Sequence, residues 1–341
     1  MSDSCLLPEF DSAKVAEIAR RLFALEGPMK QLHGERDLNF LIDDARGKFV
    51  FKIANAQESP AMLECQHQVF QRLAEAQVFP SVATALESVK GNLIETARDT
   101  QDNEHYCRAL PFIDGHLWAD FDESKLELLA DLGHRLALLD QALAGFSHPG
   151  LERPLLWNME SALPVLDDYK PLLAGIAERS LVEHFEGGYR ERVLPVQNEL
   201  RRAVIHNDAN RQNVIVDESG QQVLSIIDFG DMLDLWLVVE PAIAAAYAML
   251  DEPDPLLAAQ ALVGGYHRAL PLTSTEIGLL FDLICMRLCM SVCICAHQRR
   301  LEPDNDYLSI DEQQSWDLLD RLQNISYSDA HDAFIETCRS V

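Results

Sequence analysis

The chain has 341 residues, 48% of them hydrophobic, so it is long enough to bury the core of one large domain or two modest ones. Acidic residues number 55 and basic residues 28, which gives a formal net charge of −27. Such a negative surface disfavours nucleic acid and anionic membrane as partners and suits a cationic small molecule. A general solubility adaptation, unrelated to any substrate, accounts for the same charge balance.

The sequence also carries signals about location. The first residues, MSDSCLLPEF, lack the basic and apolar regions of a secretory signal. The apolar run 233–250 is broken by two acidic residues and a proline, so we do not expect it to span a membrane. Eight cysteines show no paired framework, and Cys285, Cys289 and Cys293 are spaced to line one helix face, which favours core packing over metal binding. We therefore predict a cytoplasmic protein.

Predicted helices and strands alternate in the first third of the chain. Helical periodicity follows an Asp/Ser start at 11–25 and a Ser-Pro start at 59–75. Short segments with strand-like composition lie at 39–42, 49–53, 86–89, 93–94 and 106–110. This order predicts a small β-rich lobe that contains a helix.

Helical patterns dominate from residue 120 onward, interrupted by the strand-like stretches VIHNDANRQNVIV and VLSIIDFG. The second part is therefore predicted to be a larger, mostly helical lobe, and the fold class to be α+β. Proline and glycine punctuate the join PFIDG. We place the boundary there, with residues 1–112 as a nucleotide-binding lobe and 113–341 as a catalytic and substrate-binding lobe.

The strongest motif is a polar loop between two β-branched segments. In VIHNDANRQNVIV, His206, Asp208 and Asn213 have the spacing H-x-D-x-x-x-x-N. A D-F-G motif beginning at Asp228 follows, and Lys52 lies upstream in the alternating strand FVFKIA. In this order the residues match the parts of a kinase.

The chemistry of phosphoryl transfer explains these residue types. Lys52 suits the α/β-phosphates of a nucleotide, and Asp208 can orient a hydroxyl nucleophile and accept its proton. Asn213 and Asp228 supply the hard oxygen ligands that Mg²⁺ prefers. We assign His206 to the loop, hydrogen-bonded to the backbone near the D-F-G, with a general-acid role as the alternative. The alternative is that these residues have no catalytic role: an Asx-rich turn, a D-F-G that occurs by chance, and Lys52 as a solvated strand residue. The order of the motifs along the chain disfavours this interpretation.

Departures from protein kinases narrow the class of substrate. Position 207 is Asn where protein kinases carry an arginine that binds an activation-loop phosphate, and no A-P-E segment follows the D-F-G. Protein substrates are therefore not expected. A glycine-rich G-x-G-x-x-G loop is also absent before Lys52. The candidates to cover the phosphates instead are Gly34, Arg36, Asp37 and Asn39.

Four stretches together resemble the aminoglycoside phosphotransferase/choline kinase superfamily: ERDLNF, FVFKIAN, LECQHQVFQRL, and IHNDANRQNVIV with SIIDFGDM. The resemblance extends from about residue 32 to residue 250 and is closest to the hydroxylysine kinase branch. It implies a bilobal protein-kinase-like fold, Mg²⁺, and ATP or GTP as phosphate donor. It also implies a nucleotide-binding hinge near Arg108 and Leu110.

One position departs from this family. Most relatives pair the strand lysine with a helix glutamate, whereas the register of LECQHQVFQRL places Gln66 at that position and Glu64 two residues earlier. A glutamine can hydrogen-bond Lys52 without neutralising it. The sequence leaves open which of the two residues pairs with Lys52.

The expected activity is transfer of the γ-phosphate to a hydroxyl of a small cationic amino acid, with 5-hydroxylysine as the leading acceptor. Asp231 and Glu240 are candidate substrate ligands, because acidic residues near Asp208 would match ammonium groups. A second Mg²⁺ is the alternative ligand of Asp231, which lies close to Asp228 in the sequence. A structural pair with an internal arginine is the other interpretation of Glu240. Homoserine, choline, ethanolamine and aminoglycosides are alternative acceptors, and a nucleotide-binding pseudokinase is the alternative from another class.

Overall fold

The computed structural model describes residues 8–32, 34, 37–121, 125–301 and 306–341, and the chain divides into two compact units. The first unit comprises Met1–Asp114 with His148–Glu152, and the second comprises Gly115–Ser147 with Arg153–Val341. A short 3-10 turn brings His148–Glu152 into the first unit. At its Gly150, a Cβ would lie 2.5 Å from the backbone oxygen of Ala61, so the close packing requires glycine there.

An antiparallel five-stranded sheet forms the centre of the first unit. Its spatial order is β1-β2-β3-β5-β4, with β1 (Met29–Leu32), β2 (Leu38–Asp44), β3 (Gly47–Ile53), β4 (Glu95–Arg98) and β5 (Glu104–Pro111). Alternate side chains of β2 are buried, as are Phe51 and Ile53 of β3 and four consecutive residues of β5. Phe51 meets Phe23 edge to face with 6.0 Å between ring centres. The predicted strands 39–42, 49–53 and 106–110 are confirmed.

Two capped helices accompany this sheet. The helix α1 (Ser12–Phe23) begins after Asp11, whose carboxylate accepts a hydrogen bond from the backbone of the first turn. The helix α2 (Pro60–Glu75) begins after Ser59, whose hydroxyl does the same, and proline occupies its first position. Both predicted helices are therefore confirmed, because their start signals and apolar periodicity agree.

The predicted strands 86–89 and 93–94 are wrong. These segments lie in a loop held by side chains, in which Ser88 Oγ and Asn92 Nδ2 donate to Glu95 Oε1 at 2.8 and 3.0 Å. Leu86 makes one backbone hydrogen bond to Ala109 rather than a ladder. Conversely, the strand β1 was not predicted, because its sequence MKQL has too little alternation to signal a strand.

The second unit is mostly helical, as predicted. Its helices are α3 (Leu126–Ala142), α4 (Ala162–Tyr169), α5 (Ile176–Gly188), α6 (Val239–Ala248), α7 (Pro255–Ala269), α8 (Ser274–Leu301), α9 (Asp306–Leu322) and α10 (Tyr327–Ser340). Helices α3 and α7 cross closely at Gly133 and Gly265. A Cβ on either glycine would lie about 2 Å from a backbone oxygen of the other helix.

The helix α8 is long and apolar enough, by length and composition, to cross a membrane. Within its most apolar window, however, 89% of the residues are buried inside the structure. They pack against helices that include α4, α6 and α9, so the apolar length serves the core of the second unit. Cys285, Cys289 and Cys293 are buried here as the helical spacing predicts, and burial raises the pKa of each thiol.

Two small antiparallel sheets position the polar motifs in the second unit. One contains β6 (His116–Leu117), β8 (Val214–Val216) and β9 (Val223–Ile226), and the other pairs β7 (Arg202–Ile205) with β10 (Leu233–Trp236). The H-x-D-x-x-x-x-N loop connects β7 to β8, and the D-F-G connects β9 to β10. Each motif therefore joins the two sheets, so the sheets fix where both loops lie.

Candidate active site

The loop that follows β7 is held in a tight turn by its own polar groups. Asn207 has a left-handed φ of 67°, a conformation that asparagine tolerates. The backbone N–H of Asp208 donates to His206 Nδ1 at 3.2 Å, and that of Asn210 donates to Asp208 O at 2.8 Å. Asparagine and aspartate in this loop are therefore favoured by its backbone conformation as well as by the chemistry of the site.

His206 connects this loop to the D-F-G segment. The side chain is fully buried, Nε2 lies 3.1 Å from the backbone oxygen of Ile227, and the ring meets Phe229 edge to face at 4.5 Å. Burial lowers the pKa of His206 to about 4, so the ring is neutral at ordinary pH. Nδ1 accepts from Asp208 N and Nε2 donates to the backbone before the D-F-G, which is the contact predicted for a loop-positioning histidine.

Asp208 lies at the centre of a hydrogen-bond network. Asn213 Nδ2 donates to Asp208 Oδ2 at 2.8 Å, and Asn210 Nδ2 lies 3.1 Å from each carboxylate oxygen. On the other side, the hydroxyl of Tyr247 and Nη2 of Arg287 lie 3.4 and 3.5 Å from Oδ1. The side chain remains 22% exposed, so a substrate hydroxyl can reach it.

The electrostatic surroundings of Asp208 make its ionisation sensitive to nearby cations. Burial raises the pKa of Asp208 to about 8; the positive charge of Arg287 opposes the rise, while Asp231 and Asp228 add to it. A further positive charge beside the carboxyl, such as a metal ion, would lower its pKa and favour the ionised form that accepts a proton.

The structure brings the two predicted metal ligands together. The backbone N–H of Ile227 donates to Asn213 O at 2.8 Å, which places Asp228, the next residue, beside Asn213. Because both amide hydrogens of Asn213 are directed at Asp208, its Oδ1 is left as an oxygen donor on the other side. Asp228 is exposed and has a left-handed φ of 59°.

This donor set fits Mg²⁺. One carboxylate and one amide oxygen are typical of a Mg²⁺ ion that completes its coordination with nucleotide phosphates and water. The residues that the structure describes contain no cluster of three or more His, Cys, Asp or Glu side chains able to hold a metal alone. An ion shared with a phosphate is therefore the arrangement that these residues suit.

The two predicted substrate ligands occupy different surroundings. Asp231 is 8% exposed, and its negative charge contributes to the raised pKa values of Asp208 and Tyr247, so it lies close to both. Glu240 is fully buried on α6, and its Oε2 accepts hydrogen bonds from the backbone N–H groups of His206 and Asn207. This placement makes Glu240 a support of the loop and argues against the predicted contact with substrate.

Three side chains beside Asp208 were missed by sequence reasoning. Arg287 of α8 is 1% exposed and its guanidinium carbon lies 4.3 Å from the ring centre of Trp157. Its Nη2 donates to the hydroxyl of Tyr247 at 2.9 Å. A signal was present, because an arginine within the apolar segment IGLLFDLICMRLCMSVCICAH is costly to bury without a partner.

In the first unit, the predicted phosphate residue lies in the middle of the sheet. Lys52 of β3 is in register with Asn39 of β2 and Arg108 of β5, so the three side chains share one face. Arg108 Nη1 donates to Gln66 Oε1 at 2.6 Å, whereas Glu64 is exposed. Neither Gln66 nor Glu64 pairs with Lys52, and in the described parts of the chain no carboxylate lies within 4 Å of its ammonium.

The other predicted nucleotide-binding residues of the first unit differ in their surroundings. A Cβ on Gly34 would lie 2.3 Å from Asn39 Nδ2, so the loop packs too closely there for any other residue. Asp37 accepts from the backbone and side chain of Asn55 at 3.0 and 3.1 Å and therefore has a structural partner. Leu110 is 8% exposed in β5, and Arg36 lies outside the described residues.

Comparison with known proteins agrees with this geometry. The sequence model of the Phosphotransferase enzyme family (APH) matches residues 29–272. Hydroxylysine kinase of Mus musculus is 28% identical, and the alignment covers 99% of this chain and 96% of that protein. Hydroxylysine kinase of Danio rerio is 27% identical over 92% of each chain.

Solved structures share the fold at low sequence identity. The microcompartment-associated aminopropanol kinase has a TM-score of 0.74 at 17% identity and covers 94% of this chain and 99% of its own. Amicoumacin kinase hAmiN, solved with AMP-PNP, Ca²⁺ and Ami, has a TM-score of 0.70 at 14% identity, with coverages of 94% and 97%. The predicted α+β, protein-kinase-like fold class is thereby confirmed.

The kinase-like fold, the family match and the similarity to hydroxylysine kinases define a phosphotransferase that acts on a hydroxyl group. Such an enzyme binds a nucleotide as phosphate donor and a small molecule as acceptor. The chain belongs to the Phosphotransferase enzyme family (APH), as the sequence motifs predicted.

Proposed function

We propose that this enzyme transfers the γ-phosphoryl group of ATP or GTP, with Mg²⁺, to the hydroxyl of a small cationic amino acid, 5-hydroxylysine first. The nearly full-length similarity to hydroxylysine kinases carries this proposal. The carboxylate of Asp231 close to Asp208 supports it, because its negative charge would attract an ammonium group of the acceptor. We also propose a cytoplasmic location, on the support of the buried cysteines, among which the described part of the chain shows no disulfide.

In the proposed reaction, Asp208 accepts a hydrogen bond from the acceptor hydroxyl and takes its proton as the oxygen attacks the γ-phosphorus. The new O–P bond forms while the bond from the γ-phosphorus to the bridging oxygen breaks, and the nucleoside diphosphate leaves. Asn213 and Asp228 would hold Mg²⁺, which neutralises phosphate charge when bound. Lys52 binds the phosphates, and His206 keeps Asp208 in position.

A panel of acceptors tests the proposal through release of ADP or GDP. The panel contains 5-hydroxylysine, homoserine, choline, ethanolamine and kanamycin, each with Mg²⁺ and either nucleotide. We expect the highest kcat/KM for 5-hydroxylysine, whose secondary hydroxyl is flanked by an ammonium group. Lysine, which lacks the hydroxyl, should inhibit competitively without being phosphorylated.

Two results would count against the proposal at different levels. Preferred turnover of choline, homoserine or kanamycin would replace the acceptor and leave the phosphotransferase class standing. Tight nucleotide binding with no transfer to any acceptor would indicate a pseudokinase, although intact Asp208, Asn213 and Asp228 make that outcome unexpected.

A further inference from the structure

We infer that Arg287 binds a carboxylate of the acceptor, so that the substrate class is hydroxy amino acids rather than amino alcohols or aminoglycosides. The inference rests on the proposed function, since it concerns the acceptor of the same site. Arg287 lies within the apolar helix α8 and is 1% exposed. Its Nη2 is 3.5 Å from Asp208 Oδ1, so it adjoins the carboxylate that is proposed to take the proton of the acceptor hydroxyl.

The hydrogen-bonding capacity of this guanidinium is not filled by the described residues. Nη2 donates to Tyr247, but Nε and Nη1 are buried with no hydrogen-bond partner in the part of the chain that the structure describes. Leaving the buried donors of a charged group without acceptors is destabilising, because the group has lost its hydrogen bonds to water. A ligand that accepts hydrogen bonds at these atoms would remove this destabilisation.

Two other arginines each form two hydrogen bonds with one carboxylate of α8, and they serve as a comparison for Arg287. Arg192 donates from Nε and Nη2 to the two oxygens of Asp282, both at 2.7 Å. Arg201 donates in the same way to Glu276, at 2.8 and 2.5 Å. In both pairs a buried carboxylate meets the guanidinium fork, which is the bidentate geometry that arginine favours. Arg287 lacks this partner.

The neighbouring acids do not supply it. Asp208 approaches Arg287 through a single oxygen at 3.5 Å, beyond a normal hydrogen bond, and its oxygens already accept from Asn210 and Asn213. Glu240 binds the backbone of the catalytic loop and forms no ion pair with Arg287. Asp231 also contributes negative charge near Arg287, but no carboxylate of the described residues accepts a hydrogen bond from its Nε or Nη1. We therefore assign that place to an anionic group of the ligand.

The position of Arg287 indicates that its ligand is a group of the acceptor rather than a phosphate of the nucleotide. Asp208 Oδ2 faces Asn213, which is a proposed ligand of the metal that binds phosphates, whereas Oδ1 faces Tyr247 and Arg287. Arg287 thus lies on the side of Asp208 away from the metal ligand. A fixed positive charge there repels a purely cationic acceptor and attracts one that also carries a carboxylate.

The guanidinium can be reached through the aromatic side chains that cover it. Trp157 and Tyr247 are both half-buried, and Trp157 belongs to a turn rather than to a helix or strand. A displacement of the Trp157 ring would uncover Nη1 and Nε without moving α8. The carboxylate would then stack beside the indole and accept two hydrogen bonds from the fork.

The experiment compares acceptors that differ only in the carboxylate. The first pair is 5-hydroxylysine and 1,5-diamino-2-pentanol, its decarboxylated form; the second is homoserine and 3-amino-1-propanol. For the wild-type enzyme we expect kcat/KM to fall by a factor on the order of 10² when the carboxylate is removed, because the site's buried donors are left unpaired. For Arg287→Met, the two members of a pair should react at similar rates, with the nucleotide KM unchanged.

A conservative variant keeps the test decisive if Arg287→Met does not fold. Arg287→Lys retains the charge but cannot form a bidentate contact, so it should raise the KM for the carboxylate-bearing acceptor more than that for its decarboxylated form. Arg192→Lys is the matched control, since it alters a structural arginine pair on α8. It should leave the ratio between the two acceptors at the wild-type value.

Several outcomes would overturn the inference. Equal losses for both members of a pair in Arg287→Met and Arg287→Lys would mean that the arginine only positions Asp208. An increase in KM for the nucleotide alone would indicate that Arg287 binds phosphate instead. Wild-type preference for the decarboxylated acceptors, or for choline or kanamycin, would also refute it. If homoserine but not hydroxylysine reacts, with the carboxylate still required, the inference stands and only the proposed acceptor fails.

Discussion

The two units of this protein carry opposite charges at their candidate site residues. In the first, the cationic side chains of Lys52 and Arg108 face the same side of the sheet, and Gln66, which accepts a hydrogen bond from Arg108, is neutral. In the second, the carboxylates of Asp208 and Asp231 lie near Arg287. The two units therefore suit ligands of opposite charge. Phosphate suits the first unit, and a metal ion with a cationic acceptor suits the second.

Removing the charge of Asp228, the proposed metal ligand in the second unit, should lower activity more than any other substitution considered. Asp228→Asn keeps an oxygen and tolerates the left-handed backbone at this position, but it removes the negative charge that binds Mg²⁺. We expect kcat to fall by a factor on the order of 10³ and the Mg²⁺ concentration for half-maximal activity to rise. Steady-state kinetics with a Mg²⁺ titration checks both. An unchanged metal requirement would remove Asp228 from the metal site.

Asp208→Asn is the matched change at the neighbouring carboxylate and should have the next largest effect. The amide cannot accept the hydroxyl proton, so kcat should fall by a factor on the order of 10² or more. Because the metal ligands remain, the requirement for Mg²⁺ and the dissociation constant of the nucleotide should stay close to wild type. Turnover at the wild-type rate would show that Asp208 is not the base.

The substitution Lys52→Met tests the role of the first unit in phosphate binding. Without a carboxylate partner, Lys52 is available to phosphate, so its loss should raise the nucleotide KM by about tenfold and leave the acceptor KM unchanged. Lys48→Met is the matched control on the same face of β3, because Lys48 is half exposed and pairs with Asp114 at 2.9 Å. Equal effects of the two substitutions would mean that Lys52 is an ordinary strand lysine.

The smallest effect on turnover is expected from Glu240→Gln, which instead alters the pH dependence of stability. Burial raises the pKa of Glu240 from an ordinary value of 4.5 to about 7, so between these pH values the folded protein binds more protons than the unfolded chain. The free energy of unfolding therefore decreases as pH rises through this window. Glutamine still accepts from the backbone of the loop, and it removes this contribution.

Denaturant unfolding from about pH 5 to about pH 8 measures the difference between Glu240→Gln and wild type. The variant should gain stability relative to wild type as pH rises, and the gain should level off above about pH 7. Asp168→Asn, at an exposed position of α4, controls for the loss of one carboxylate. A constant difference across the pH range would contradict a carboxyl that titrates there.

The residues that the sequence predicted well are those fixed by local spacing. His206, Asp208 and Asn213 lie within one loop, and short backbone hydrogen bonds determine their relative positions. The helices α1 and α2 were predictable for the same reason, since capping residues and apolar periodicity are local. Local chemistry of this kind can be inferred without knowing the tertiary structure.

The rest depends on contacts between distant parts of the chain. Arg287, Tyr247 and Trp157 come from two helices and a turn, so no spacing in the sequence brings them to Asp208. For Glu240 the sequence left a substrate contact and a pair with an internal arginine open. Its observed partners are backbone amides, which have no sequence signature. The false strands near residues 86–94 had suitable composition, but side-chain hydrogen bonds to Glu95 hold that segment as a loop.

The central claim is that phosphate is transferred to the hydroxyl of 5-hydroxylysine, and analysis of the product tests it most directly. The wild-type enzyme is incubated with 5-hydroxylysine, Mg²⁺ and ATP or GTP, and the product is examined by phosphorus–proton correlation NMR. We predict a single phosphate ester whose phosphorus couples to the proton on the hydroxyl-bearing carbon, formed in equal amount to the nucleoside diphosphate. Nucleoside diphosphate release without a phosphorylated amino acid, or phosphate attached to an amine, would contradict the account.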